Sequence, residues 1–162
     1  MPIALSSFGS SPQLRALIDS VEDYAIFLLD PQGIITTWSR GAQRLKGYAS
    51  AEVVGKSFRT FYTPEDLASG LPDRLIAEAS KSGRVESEGW RVRKDGSRFW
   101  ADAIISALRG DDGELAGFVK VTRDLTERRR AEEELKASER RFRTLAEEAP
   151  RSASARAKSG SG

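Results

Sequence analysis

Neither cysteine nor histidine occurs anywhere in the 162 residues. Without a thiol there is no disulfide, no zinc–thiolate centre, no sulfur nucleophile and no cysteinyl adduct to a flavin. Without an imidazole there is no histidine base, no His-ligated haem or zinc and no phosphohistidine. Long apolar runs are missing as well: no stretch approaches the roughly 20 residues of a membrane span. The first dozen residues have neither the basic start nor the apolar core of a secretion signal. A cytoplasmic, membrane-free location is the expectation. Nor does one sign of charge dominate, since 26 Lys and Arg face 24 Asp and Glu for a net +2. Binding to nucleic acid through phosphate neutralisation alone would need a larger excess. Loops of the form GxxxxGK[ST] or GxGxxG that cradle phosphates are absent. The acidic pairs Glu65/Asp66 and Asp111/Asp112 fall at a helix start and a turn, places that favour acids for structural reasons. No catalytic residue and no metal-ligating set is therefore assigned, and the chain is expected not to be an enzyme.

What is present is a sequence of short elements. Ser11-Pro12 reads as a helix cap followed by a ring with the right φ, and Leu14, Leu17, Ile18 and Val21 recur at helical spacing. The run YAIFLLD, the turn Asp30-Pro31-Gln32-Gly33 and the β-branched IITTWS predict a hairpin. Ser39 can cap a short helix ending at Gly47, and Thr63-Pro64-Glu65-Asp66 opens another helical segment that stops at Gly83. Lys94-Asp95-Gly96 and Asp111-Asp112-Gly113 then separate three strands, about 86–93, 97–108 and 115–123. Residues 127–149 favour helix, and Ala131, Leu135, Ser138, Phe142, Leu145 and Ala149 are spaced as a heptad seam. Half of that seam is Ala or Ser, so the helix needs a partner. Charge is uneven, with net −2 over residues 1–127 and +4 over residues 128–162. The SARAKSGSG end offers nothing to bury.

These pieces, taken in order, resemble a PAS domain, the small sensor fold of bacterial signalling proteins. The matching segments are the hairpin around Asp30-Pro31-Gln32-Gly33, then TWSRGAQRLKGYASAEVVGK, then RKDGSRFWADAIISALRGDDGELAGFVKVTRDLTERRRAEEEL. The resemblance covers roughly residues 12–135. It implies an α+β fold with a five-stranded antiparallel sheet, short helices on one face, an N-terminal helix and a C-terminal linker helix. The expected boundaries are a disordered start at 1–11, the PAS domain with its N-terminal helix at 12–126, a signalling or coiled-coil helix at 127–149 and a disordered tail at 150–162. Ser39 stands where the family usually has Asn.

The resemblance also implies a function, that of a non-catalytic sensory and dimerisation module of a two-component pathway. Asp124, Leu125 and Thr126 match the Asp-Ile-Thr junction where the last strand meets the signalling helix. Leu14, Leu17, Ile18, Leu135, Phe142 and Leu145 are the candidate dimer and linker contacts. A homodimer with a histidine kinase or another output domain as partner is expected. Trp38, Phe58, Phe61, Trp90 and Phe118 are candidate walls of a cofactor pocket, although a core needs such side chains too. His-ligated haem and a cysteinyl-flavin adduct are excluded, while non-covalent flavin, a small organic ligand or no ligand remain open. Two alternatives stand beside this reading. One is an N-terminal fragment of a sensor histidine kinase whose enzymatic domains lie elsewhere, and the other is a regulator touching nucleic acid through its basic tail.

Overall fold

The computed structural model describes the backbone of residues 11–157 and the side chains of residues 11–148. Of the ends expected to be disordered, positions 1–10 and 158–162 lie outside the described residues, whereas Ser11 caps the first helix and residues 150–157 are helical. Ser11 accepts a hydrogen bond from the Leu14 amide at 3.3 Å and Pro12 opens helix α1 (Pro12–Asp19). Strand β1 (Tyr24–Leu29) follows and ends in a turn where the Asp30 carboxylate accepts from the Gln32 and Ile34 amides, both at 2.9 Å. Gly33 takes φ +87° there, and a β-carbon at this position would stand 2.8 Å from the Phe58 ring, so the turn needs glycine twice over.

The segment expected as the second strand, Ile34–Ser39, makes only isolated bridges, Leu29 with Ile35 and Ile34 with Ser57. Two side-chain hydroxyls explain why. The outer amides of β1 are taken by Thr37 Oγ1, which accepts from Leu28 N at 3.0 Å, and by Ser39 Oγ, which accepts from Ile26 N at 3.1 Å. A regular ladder would have filled those donors with backbone carbonyls. The sheet therefore has four strands among the described residues.

Helices α2 (Arg40–Lys46) and α3 (Ser50–Val53), a 3₁₀ turn at Phe58–Phe61, α4 (Pro64–Ala68) and α5 (Leu71–Ser82) fill the middle of the chain. They lead into β2 (Arg84–Val92), β3 (Arg98–Arg109) and β4 (Leu115–Asp124). The strand order is β1-β4-β3-β2, antiparallel throughout. Alternation decides the two faces. Ala25, Phe27 and Leu29 of β1, Phe99, Ala101, Ala103 and Ile105 of β3, and Phe118 of β4 are buried on one face with Phe58, Phe61, Leu75 and Ala79 of the helical layer. Each fully buried Phe contributes about 1.5–3 kcal/mol by leaving water. This is the expected α+β architecture, an antiparallel sheet with helices on one face.

The chain divides into two compact units, one up to Leu125 and one from Thr126. The second is the helix α6 (Thr126–Ala157), which runs through Pro150 where the sequence reading ends it. Arg128–Glu132 and Arg129–Glu133 pair along it at 3.3 Å, one turn apart. Leu135, Phe142 and Leu145 stand 61%, 76% and 65% exposed.

Candidate functional site

The inward face of the sheet carries more than apolar side chains. Lys120 and Thr122 of β4 follow Phe118 at every second position, so all three point the same way, and Arg91 of β2 sits opposite Phe99 on that face. Lys46 arrives from the last turn of α2, held there by Gly47 in the left-handed conformation at the C-cap. Lys46, Arg91, Lys120 and Thr122 are all fully buried. Across the strands Lys120 lies beside Ile105 of β3 and Phe27 of β1, Thr122 beside Ala103 and Ala25, and Arg91 beside Phe99, with Gly89 two residues before Arg91 on the same face.

Shared rings place the three cations together. The Lys46 and Lys120 ammonium groups each lie 5.8 Å from the Phe27 centroid, and Lys46 is 4.3 Å from that of Phe61. The Arg91 guanidinium and Lys120 are 4.3 and 4.6 Å from the Tyr62 ring. Lys120 donates to the Tyr62 hydroxyl at 3.1 Å, and Arg91 Nη1 donates to the Trp90 carbonyl at 2.9 Å. Among the described residues, Lys46 Nζ, Arg91 Nε, Arg91 Nη2 and Thr122 Oγ1 have no hydrogen-bond partner. No carboxylate is buried among the described residues. Burial pulls the Lys46 pKa down to about 7, helped by Arg91 and Arg93 and opposed by Asp124. Burial likewise moves Lys120 well below the ordinary lysine range, with Lys46 and Arg91 adding to it.

A side chain at the rim joins this interior to the end of the sheet. Arg93 Nε donates to the Leu45 carbonyl at 3.1 Å, next to Lys46, while Arg93 Nη2 donates to Asp124 Oδ2 at 2.8 Å. The same guanidinium stacks 4.6 Å from the Phe99 ring, which Lys46 also faces at 5.3 Å. Leu125 N donates to the Trp100 carbonyl at 2.7 Å, the last bond of the first unit before the chain turns into α6. Of the expected junction residues, Asp124 is thus held by Arg93, just past the end of β2, and Leu125 by β3, while Thr126 begins the helix.

The five aromatic residues proposed as pocket walls divide. Trp38 lies 5.0 Å from Phe27 and 5.5 Å from Phe61 by ring centroids, and Phe58, Phe61 and Phe118 belong to the same buried cluster. Trp90 does not join them. It alternates with Arg91, so it points to the opposite face, 38% exposed and edge-on to Trp100 at 5.1 Å. The candidate contacts of α1 divide as well. Leu14 and Ile18 line a groove of about 570 Å³ with Ile26, Leu28 and Val119, the outward side chains of β1 and β4. Leu17 is 64% exposed.

The sequence reading did not single out Lys46, Arg91, Lys120 or Thr122. The alternation of FVKVT was the available signal for Lys120, because its lysine shares parity with the Phe. Among the described residues no cluster of acidic side chains could hold a metal ion, and no helix is long and apolar enough to cross a membrane.

The family model of the PAS domain matches residues 23–127. This chain belongs to the PAS domain family. A PAS domain from Colwellia psychrerythraea, solved as a crystal structure, superposes with a TM-score of 0.66 at 25% identity, covering 71% of this chain and 96% of that one. Among sequences, two-component system protein A of Emericella nidulans is 52% identical over 118 residues, which is 73% of this chain and 17% of that protein. The blue-light-activated histidine kinase of Rhizobium johnstonii is 34% identical over 98 residues, 60% of this chain and 28% of that protein. The PAS chain thus spans less than a third of the length of either relative.

Proposed function

We propose that this PAS domain is a non-catalytic sensory module of a two-component pathway, working in the cytoplasm as a homodimer and driving a histidine kinase or another output domain through α6. The observation that carries the reading is Arg93. One guanidinium holds the helix end that presents Lys46 and the aspartate that closes β4, so a change in the buried cluster reaches Asp124 through two hydrogen bonds. A shift in the balance between two arrangements of that link would alter how the chain leaves the sheet. The two-component system protein and the histidine kinase among its relatives support an output of this kind.

The test is a fusion of the full chain, through the end of α6, to the catalytic part of a histidine kinase. Arg93→Met and Asp124→Asn should each change autophosphorylation at least about fivefold, the lower end of the usual coupling between sites. Unchanged output from both variants, in proteins that still melt cooperatively, would show the link to be passive.

A further inference from the structure

Lys46 closes α2 one residue before the exposed Gly47, yet it is fully buried. Its terminal nitrogen is lined by rings, 4.3 Å from the Phe61 centroid, 5.3 Å from Phe99 and 5.8 Å from Phe27, and no oxygen among the described residues accepts from it. A neutral amine tolerates such surroundings, whereas an ammonium has three donors to satisfy and a charge to balance. The charged neighbours make that balance worse. β2 supplies Arg91 and, just past its end, Arg93; β4 supplies Lys120 and the carboxylate of Asp124, which Arg93 holds. Elsewhere around it, Glu52 of α3 is paired with Lys94, the Tyr62 phenol accepts from Lys120, and Arg44 of α2 itself pairs outward with Glu22. Lys120 is fixed in β4 between β1 and β3 and cannot leave without opening the sheet. Lys46 sits on a helix end that three hydrogen bonds fasten from outside: the Leu45 carbonyl accepts from Arg93 Nε at 3.1 Å, the Lys46 carbonyl from Lys94 N at 2.9 Å and the Tyr48 carbonyl from Trp38 Nε1 at 2.8 Å.

We propose that the last turn of α2 is a proton-driven latch: with Lys46 neutral the turn stays docked on the rings, and on taking up one proton Lys46 moves out to water, the turn lifts at Gly47, and Arg93 loses the Leu45 carbonyl while keeping Asp124. The proton is then the stimulus of the sensory module, so the latch rests on the sensory reading for its output and on α2, β2 and β4 alone for its opening. The sign follows from the two environments. Docked, Lys46 titrates at about 7, held down by burial and by Arg91 and Arg93; out in water it returns to 10.5. Opening therefore takes up a proton between those values, and the ratio of open to docked chains rises about fiftyfold from pH 9 to pH 7 but only about twofold more from pH 7 to pH 5.

Three measurements on the full chain test this. Nuclear magnetic resonance of labelled lysine Cε, with Lys46 assigned by its contacts to the phenylalanine rings, should show it neutral at about pH 9. Amide-exchange protection of residues 44–48, corrected for the intrinsic pH dependence of exchange, should fall by up to about fiftyfold from about pH 9 to about pH 7 in the wild type and stay level in Lys46→Met. The methionine removes an unbalanced buried charge at nearly constant volume and should fold, and the lysine resonance tests the latch in the wild type alone. In the kinase fusion, autophosphorylation relative to the Lys46→Met fusion should change at least about fivefold over the same interval. A Lys46 still charged at about pH 9, or wild-type protection that tracks Lys46→Met at every pH, overturns the latch. Output that is flat with pH in a fusion that Arg93→Met still alters also overturns it and leaves the sensory reading. Protection that falls as expected in a fusion that neither pH nor Arg93→Met alters supports the opening of α2 and removes the sensory reading.

Discussion

Lys46 shows how much a single buried side chain can impose on the pH response of a domain. In the unfolded chain it takes the ordinary value of 10.5, whereas burial, and then the charges of Arg91 and Arg93, bring it to about 7 in the fold. Between those values the unfolded chain holds more protons than the folded one, so stability rises as pH climbs from about 7 towards 10. Lys120 is lowered too and acts in the same direction. Tyr62 closes the window from above. Its phenol is pushed up to about 12 by burial, against the pull of Arg91, so above its ordinary 10.0 the unfolded chain ionises first and stability is lost. Thermal unfolding followed by circular dichroism should therefore give a higher midpoint at about pH 9.5 than at about pH 7, and Lys46→Met should flatten that rise. A wild-type midpoint that falls over the interval would contradict a buried Lys46. Asp124 provides a second test at this scale. Its side chain and that of Arg93 are each about a quarter exposed, so their 2.8 Å pair is only partly screened. Asp124→Asn should cost about 1–3 kcal/mol in urea unfolding, most of it from leaving Arg93 short of a charged acceptor.

At the scale of elements, the start of α2 shows local sequence and packing agreeing. Ser39 Oγ accepts from the Ala42 amide as an N-cap and from the Ile26 amide of β1, both at 3.1 Å, so one hydroxyl starts the helix and ties it to the sheet. Ser39→Ala should lose about 1–2 kcal/mol, the upper range for a cap, and Ser39→Asn should restore much of it, as measured by chemical denaturation. Two residues on, Gly41 allows α2 to approach β1 closely. A β-carbon there would stand 2.0 Å from the Tyr24 carbonyl oxygen, which is backbone and cannot swing away. Gly41→Ala should cost several kcal/mol and broaden or abolish the thermal transition. The cap at Ser39 was readable from composition, whereas the need for glycine at Gly41 was not, since nothing nearby in sequence states which strand the helix will lie against. The hairpin over residues 24–39 shows the same boundary. Its turn follows from Asp30 and Gly33, but Thr37 and Ser39 spend their hydroxyls on the amides of β1, and the second segment never becomes a strand.

For the molecule as a whole, self-association is the property the sensory reading most depends on. Leu135, Phe142 and Leu145 of α6 are solvent-exposed in the single chain, and each would lose apolar surface to water in a paired helix. Light scattering over a concentration series should show a weak dimer for the full chain. A chain ended at Glu127, and the double variant Leu135→Glu with Phe142→Glu, should already be dissociated at higher concentrations, where the full chain is still dimeric. Equal dimerisation of all three would assign the contact to the first unit and leave α6 a solvated linker. Monomers at every concentration would remove the homodimer from the proposal.

The order of elements apart from the second strand, the turns, the helix caps and the exclusion of thiol and imidazole chemistry were legible in the chain itself. They depend on short-range rules, the period of the apolar positions and the identity of a few turn residues, that operate within some ten residues. Trp90 and Arg91 mark where such rules stop. Neighbours in sequence, they go to opposite faces by the pleat, and only the packed helical layer decides which face is the interior. By residue type the tryptophan belonged inside and the arginine outside, and the fold places them the other way. Lys46 near a helix end and Lys120 in a strand each read as solvated charges one at a time. Their convergence with Arg91 joins α2, β2 and β4, segments more than seventy residues apart along the chain at the extremes, and a buried cluster assembled over such distances exists only once the sheet has closed against its helices.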